Sequence, residues 1–344
     1  GASQAGLHVP APSLAQGRLP WLAGARVSIF FGDVETFSEV PIRNGVYRYA
    51  ENCEILLFSF ALDDGPTSVI DFTLPFEEIE LDVLTLEETI ASADEVWFQN
   101  SMFDRAVLGR NAPKLCAPLH KWRDTLVRAL AHGLPGALEK TCKILGVPFD
   151  QRKQANGKAL IQLFCKPRPK NAKLRRATRL THPAKWAEFI DYASHDITGM
   201  RAVHHKLPNW NYTGDELALW HLDQRINDRG MQIDIDMVDA AIRTAAREKK
   251  RLAGRASDLT NGEVTSTTKR DVLLKYLLRE HGVDLPDLKK DTLQRRLEDE
   301  NLPWQVRALI GNRLQSASAS VAKFAAMKRS VCEDGRVRGT AQFC

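Results

Sequence analysis

The stretch IFFGDVETFS, residues 29–38, sets two carboxylates, Asp33 and Glu35, inside an otherwise apolar run. Such a run predicts a buried β-strand, in which side chains alternate faces, so residues 33 and 35 point the same way. Two carboxylates side by side repel each other and raise each other's pKa unless a cation lies between them. Two further acids stand in comparable settings: Asp104 follows the apolar run EVWFQN, and Asp196 closes DYASHD. Asp196 comes one helical turn after Tyr192, so the phenol and the carboxylate share a helix face. A set of oxygen donors without Cys or His favours Mg²⁺ or Mn²⁺ over zinc.

The surrounding pattern predicts where these residues sit. RVSIFFGDVETF, CEILLFSFAL and TSVIDFT read as strands, with a hairpin-like step at Asp64-Gly65-Pro66 between the last two. LDVLTLEETIASA reads as an amphipathic helix and EVWFQN as a buried strand. The helices SMFDRAVLGRN, TLVRALAHG, GALEKTCKILG, KALIQLFCK and WAEFIDYASHDITGMRAVHHKL come next. The order β-β-β-α-β-α, then helices, predicts an α/β fold with a mixed sheet flanked by helices. From Leu217 onward the chain reads as nearly all helix, closed by a short β-like piece, GRVRGTAQFC. A break near 208–215 therefore divides residues 26–208 from an all-α region at 214–344.

With 344 residues, the chain is long enough for two cores, and its composition (44% hydrophobic, 26% charged) is that of a soluble globular protein. The net charge of +5 permits a polyanionic partner without requiring one. The six cysteines form no CxxC pair and read as reduced thiols. No segment reaches the roughly 18–20 apolar residues of a membrane span, and the start lacks the order of a secretion signal. A cytoplasmic protein without a membrane partner is expected. Residues 1–25 read as a flexible N-terminal segment, or as an arm docked through Leu19, Trp21 and Leu22.

Between 166 and 181 the run KPRPKNAKLRRATRLT carries seven basic residues and no acid. Lys166, Arg168, Lys170, Lys173, Arg175 and Arg176 form either a solvated loop or, beside a metal site, a guide for a nucleic-acid backbone. Trp122, Trp186, Trp210 and Trp220 are expected as core anchors, and the histidines as surface or packing residues rather than ligands.

Several carboxylates converging at one edge of a sheet could hold two divalent ions, which can divide a phosphodiester hydrolysis between attacking water and leaving oxygen. A phenol such as Tyr192 would orient the water or stabilise its deprotonated form. A lone Asp-x-Glu or Tyr-x-x-x-Asp is weak evidence; the order and distance of all three pieces make the set selective.

The set DVET, then NSMFD, then YASHD resembles the DEDDy group of 3′–5′ exonucleases. GVYRYAENCEILLFSFALDDG, LVRALAHGLPGALEKTCKILGV and GKALIQLFCKPRP further resemble the proofreading domain of bacteriophage-type family A DNA polymerases, over about residues 27–207. The His-using subgroup carries its His five positions before the last Asp, and this chain has Asp191 there. LDQRINDRGMQIDIDMV resembles the segment that opens the polymerase region of those enzymes, and the end of the chain resembles the approach to their Thr-x-x-Gly-Arg stretch.

The resemblance implies a ribonuclease-H-like exonuclease domain followed by a truncated, thumb-like helical region. It implies that Asp33, Glu35 and Asp196 bind one Mg²⁺ or Mn²⁺ ion, and that Asp33 and Asp104 hold a second. Tyr192, with Glu35, would position the water, while Thr36, Phe37, Asn100 and Phe103 would grip the 3′-terminal nucleotide. The expected activity is metal-dependent removal of 5′-monophosphates from single-stranded 3′ ends of DNA or a primer-template, in a bacterial or phage-infected cell. Polymerase activity is not expected without palm carboxylates. An RNA 3′-end trimming enzyme of the same chemistry, or a non-catalytic DNA-binding domain, are the rivals.

Overall fold

The structure, a computed structural model, describes residues 27–148, 157–317 and 319–343. The N-terminal segment with Leu19, Trp21 and Leu22 lies outside the described residues, as does Cys344.

The apolar runs form a five-stranded mixed sheet. In chain order the first part comprises β1 (Ile29–Ser38), α1 (Val46–Ala50), β2 (Cys53–Leu62), β3 (Ser68–Asp71), α2 (Phe76–Ser92), β4 (Glu95–Phe98), α3 (Ser101–Asn111), β5 (Trp122–Asp124), α4 (Thr125–Ala131), α5 (Leu138–Ile144), α6 (Gly157–Phe164) and α7 (Pro183–Lys206). The strand order is β3-β2-β1-β4-β5. β1 pairs antiparallel with β2 and parallel with β4; β2–β3 is antiparallel and β4–β5 parallel. The β2–β3 hairpin turns through Asp64-Gly65-Pro66, as the sequence predicts.

Two features of β1 determine where its acidic residues stand. Its ladder to β4 covers only Ile29–Phe31, so the second half of β1 runs on past the end of β4. Its register to β2 shifts between Glu35 and Thr36, whose partners are Leu57 and Ile55. A bulge of this kind bends the strand and re-aims the side chains beside it. Gly32 fits because any β-carbon there would overlap the Phe98 ring.

Helix α7 covers one face of the central strands. Phe31 meets His204 edge-on with ring centroids 5.2 Å apart, and Phe37 joins Phe164, Phe189 and Tyr192 in one buried cluster. Arg128 fixes the end of this helix by donating to the carbonyl of its C-cap, Leu207, an orphan acceptor of the helix terminus, and to that of Pro208 just beyond.

The second part comprises α8 (Gly214–Arg229), β6 (Met231–Gln232), α9 (Ile235–Leu259), α10 (Arg270–His281), α11 (Lys290–Leu297), α12 (Trp304–Ser316), α13 (Ala322–Ser330) and β7 (Arg336–Val337). Leu273, Leu277, Val306, Leu309 and Ile310 form its own core, joined by Ala256 of α9. α8 packs on the first part instead: Trp220 is buried in the main core, and Arg105 of α3 bonds both Asp228 and Gln224.

Two expectations need correction, and three short elements escape the sequence. β5 and α1 do not stand out in the sequence because three or five residues are too few to show a period. The β-like piece expected at the end of the chain holds β7, whose partner β6, two residues directly after α8, is too short to be read from the sequence. The helix expected over VRALIGNRLQSASASVAKFAAMKRSV is interrupted after Ser316, within a serine-rich stretch of low helix propensity. Trp210 is not a core anchor: it is 61% exposed and lies against His132, whereas Trp122, Trp186 and Trp220 are buried. No helix among the described residues is long and apolar enough to cross a membrane.

Candidate active site

Asp33 and Glu35 project from the protruding half of β1, and Asp196 from α7 across from them. One carboxylate oxygen from each lies within 4.8 Å of the others. Glu35 is only 9% exposed and Asp196 5%. Three negative oxygens gathered in such a poorly solvated place are unfavourable alone, and hard oxygen donors of this kind fit a divalent ion such as Mg²⁺ or Mn²⁺.

Asp104 reaches the group from the first turn of α3. Where β1 has outrun β4, the Val34 N–H donates to the Asp104 carboxylate at 3.2 Å. Burial, then the charge of Asp33, push the Asp104 carboxyl well above the usual carboxylate range, against the pull of the Val34 amide. α3 itself is set by Asp124, which accepts the backbone N–H groups of Asn100 and Ser101 and caps α4 through Leu126 N. Asn100 adopts a left-handed conformation at this junction, and its side chain is exposed.

Tyr192 is fully buried, one turn before Asp196. Burial, then the carboxylates of Asp196, Glu35 and Asp33, raise its pKa in the metal-free protein. Gly157, at the start of α6, makes room for the ring, which any β-carbon there would strike.

A cleft of about 500 Å³ opens beside Glu35. Thr36, Phe103, Ile42, Ile161 and Lys166 line it, with Tyr49 holding the Thr36 hydroxyl at 2.7 Å. Thus the structure brings Asp33, Glu35, Asp104, Tyr192 and Asp196 together and sets Thr36, Phe103 and Lys166 around the adjoining cleft. Phe37 and Asn100 are not among the residues lining it. Phe37 is buried, and the Arg176 guanidinium lies 4.1 Å from its ring centroid.

The basic run divides in use. Arg176 makes two bonds of 2.8 Å to Glu54, the cross-strand partner of Phe37, and so serves the fold. Arg168 and Arg175 tie the loop to itself through each other's backbone. Lys170 and Lys173 are exposed. Cys165 and Gly157 carry no signal in the sequence: neither has a distinguishing neighbour pattern, and each matters only through a contact distant along the chain.

No protein-family model matches the chain. A DNA polymerase of Bacillus phage SP02 is 36% identical over 321 residues, covering 90% of this chain and 47% of that protein. The chain is therefore related to a phage DNA polymerase, and spans about half the length of this relative. Among solved structures, the POL domain of Pol1 from M. smegmatis, in complex with DNA primer-template and dNTP, has a TM-score of 0.50 at 14% identity. That match covers 89% of this chain and 48% of the other, and is a likeness of fold.

Proposed function

We propose that residues 26–208 are a ribonuclease-H-like 3′–5′ exonuclease domain acting on DNA, and that residues 214–344 are the thumb-side start of a family A polymerase. The observation that carries this reading is the convergence of Asp33, Glu35 and Asp196 within 4.8 Å, from two elements far apart in sequence. The sheet order β3-β2-β1-β4-β5, with its antiparallel hairpins and parallel extension, supports it. So does the homology to a phage DNA polymerase. The setting would be the cytoplasm of a bacterial or phage-infected cell.

Asp33, Glu35 and Asp196 would hold one divalent ion, and Asp33 with Asp104 a second. Bound ions of this type lower the pKa of water and stabilise the charge on a leaving oxygen. Tyr192 orients the attacking water by hydrogen bonding, with Glu35 beside it. The water oxygen forms a bond to phosphorus, and the bond from phosphorus to the penultimate O3′ breaks. The water gives up a proton to solvent, and O3′ takes one. The products are a nucleoside 5′-monophosphate and a strand one nucleotide shorter.

The cleft beside Glu35 gives the terminal nucleotide its place, with Thr36 and Phe103 on its walls. A base must leave its stack to enter, at a cost of a few kcal/mol in a duplex and little in a frayed end. Single-stranded 3′ ends are therefore the preferred substrate. Side-by-side digestion of 5′-labelled DNA and RNA oligonucleotides with Mg²⁺ tests the proposal. A DNA ladder shortened from the 3′ end supports it. Preferential RNA shortening would reassign the substrate, and intact strands of both kinds would remove the nuclease reading.

A further inference from the structure

Cys165 comes directly after α6 and lies over the bulge in β1. Its sulfur is 3.6 Å from Glu35 Oε2, with the thiol donating to the carboxylate. The backbone of Thr36 acts on the same thiol, drawing its pKa down against the rise from burial and Glu35. Its own N–H is tied to the Ile161 carbonyl at 2.9 Å, so the side chain is anchored to α6. Cys165 is 7% exposed and belongs to the apolar cluster with Phe37, Leu160, Phe164 and Tyr192. It therefore bonds the residue at which the β1–β2 register shifts. A bulge allows the direction of Glu35 to vary, and a contact from a packed helix end removes that freedom.

We propose that Cys165 is a positioning residue for Glu35, its thiol aiming the carboxylate toward Asp33 and Asp196. The inference rests on the reading of Glu35 as a metal carboxylate. A thiol is a weak donor, so its loss costs less than the tenfold or more typical of strong partners behind a metal ligand. Serine keeps a donor at the same place, whereas alanine keeps neither donor nor acceptor.

The test is Mn²⁺ affinity of the full chain, measured by electron paramagnetic resonance on the unaltered protein and on Cys165→Ser and Cys165→Ala. Thermal unfolding of each variant reports packing separately. The expected result is affinity weakened ~3- to 10-fold in Cys165→Ala and within about twofold of the unaltered protein in Cys165→Ser. Unchanged affinity in Cys165→Ala, or equal losses in both variants, would overturn the positioning role. If the unaltered protein takes up no Mn²⁺, the metal reading falls together with this inference. Mn²⁺ uptake with the expected ordering of variants, but without DNA hydrolysis, would sustain the positioning and remove only the nuclease assignment.

Discussion

Asp104 accepts the N–H of Val34, the residue between Asp33 and Glu35, at 3.2 Å. A carboxylate from α3 thus takes the place of a neighbouring strand where β4 has ended, and in doing so stands beside Asp33. One contact both completes the backbone bonding of β1 and brings a fourth acid to the cluster.

This arrangement has a cost in the metal-free protein. The Asp104 carboxyl is pushed up in the folded state by burial and by Asp33. Between its unfolded and folded pKa the native state binds more protons than the unfolded chain, so this group's contribution to stability falls as pH rises. Asp104→Asn keeps an oxygen for the Val34 N–H and removes the charge. Denaturant unfolding without metal at pH 8 should show the variant more stable by about 1 kcal/mol or more, with the advantage shrinking toward pH 4. A variant less stable at pH 8 would show that the charge is not a burden.

Removing a central ligand should separate fold from chemistry. Asp33→Asn and Asp196→Asn should lose Mn²⁺ binding and DNA cleavage while keeping the far-ultraviolet circular dichroism of the unaltered protein. Normal turnover in either variant would exclude these residues from the site.

Tyr192→Phe removes the hydroxyl and leaves the ring in its cluster. Single-turnover cleavage should slow by roughly 10²- to 10⁴-fold, the range for a positioned proton-handling group, with Mn²⁺ affinity little changed. An unaltered rate would show that the phenol does not orient the water.

Gly157→Ala tests how that ring is held. The added methyl collides with Tyr192, and overpacking of this kind destabilises by about 1–3 kcal/mol. Chemical denaturation should show that loss, accompanied by slower cleavage. Unchanged stability would mean that α6 shifts freely to make room.

Much of the fold and the acidic cluster is legible in the sequence because both rest on long periodic signals. The alternation in IFFGDVETFS puts Asp33 and Glu35 on one face, and the i, i+4 spacing puts Tyr192 beside Asp196. The remainder depends on contacts remote in sequence. Arg176 looks like any member of its basic run, yet Glu54 and Phe37 take it into the fold. Phe37 looks like a residue for substrate, yet it is buried in the cluster with Phe164, Phe189 and Tyr192, beyond the register shift in β1. The bulge beside Glu35 has no local signature, because it is a mismatch of register between β1 and β2 rather than a property of either strand.

The proposed chemistry depends on Asp33, Glu35 and Asp196 serving one ion together. Anomalous diffraction from crystals soaked in Mn²⁺ tests this directly. The predicted result is a peak bounded by those three carboxylates, with a second beside Asp33 and Asp104. Peaks only elsewhere on the surface, or none at all with the carboxylates in place, would contradict it.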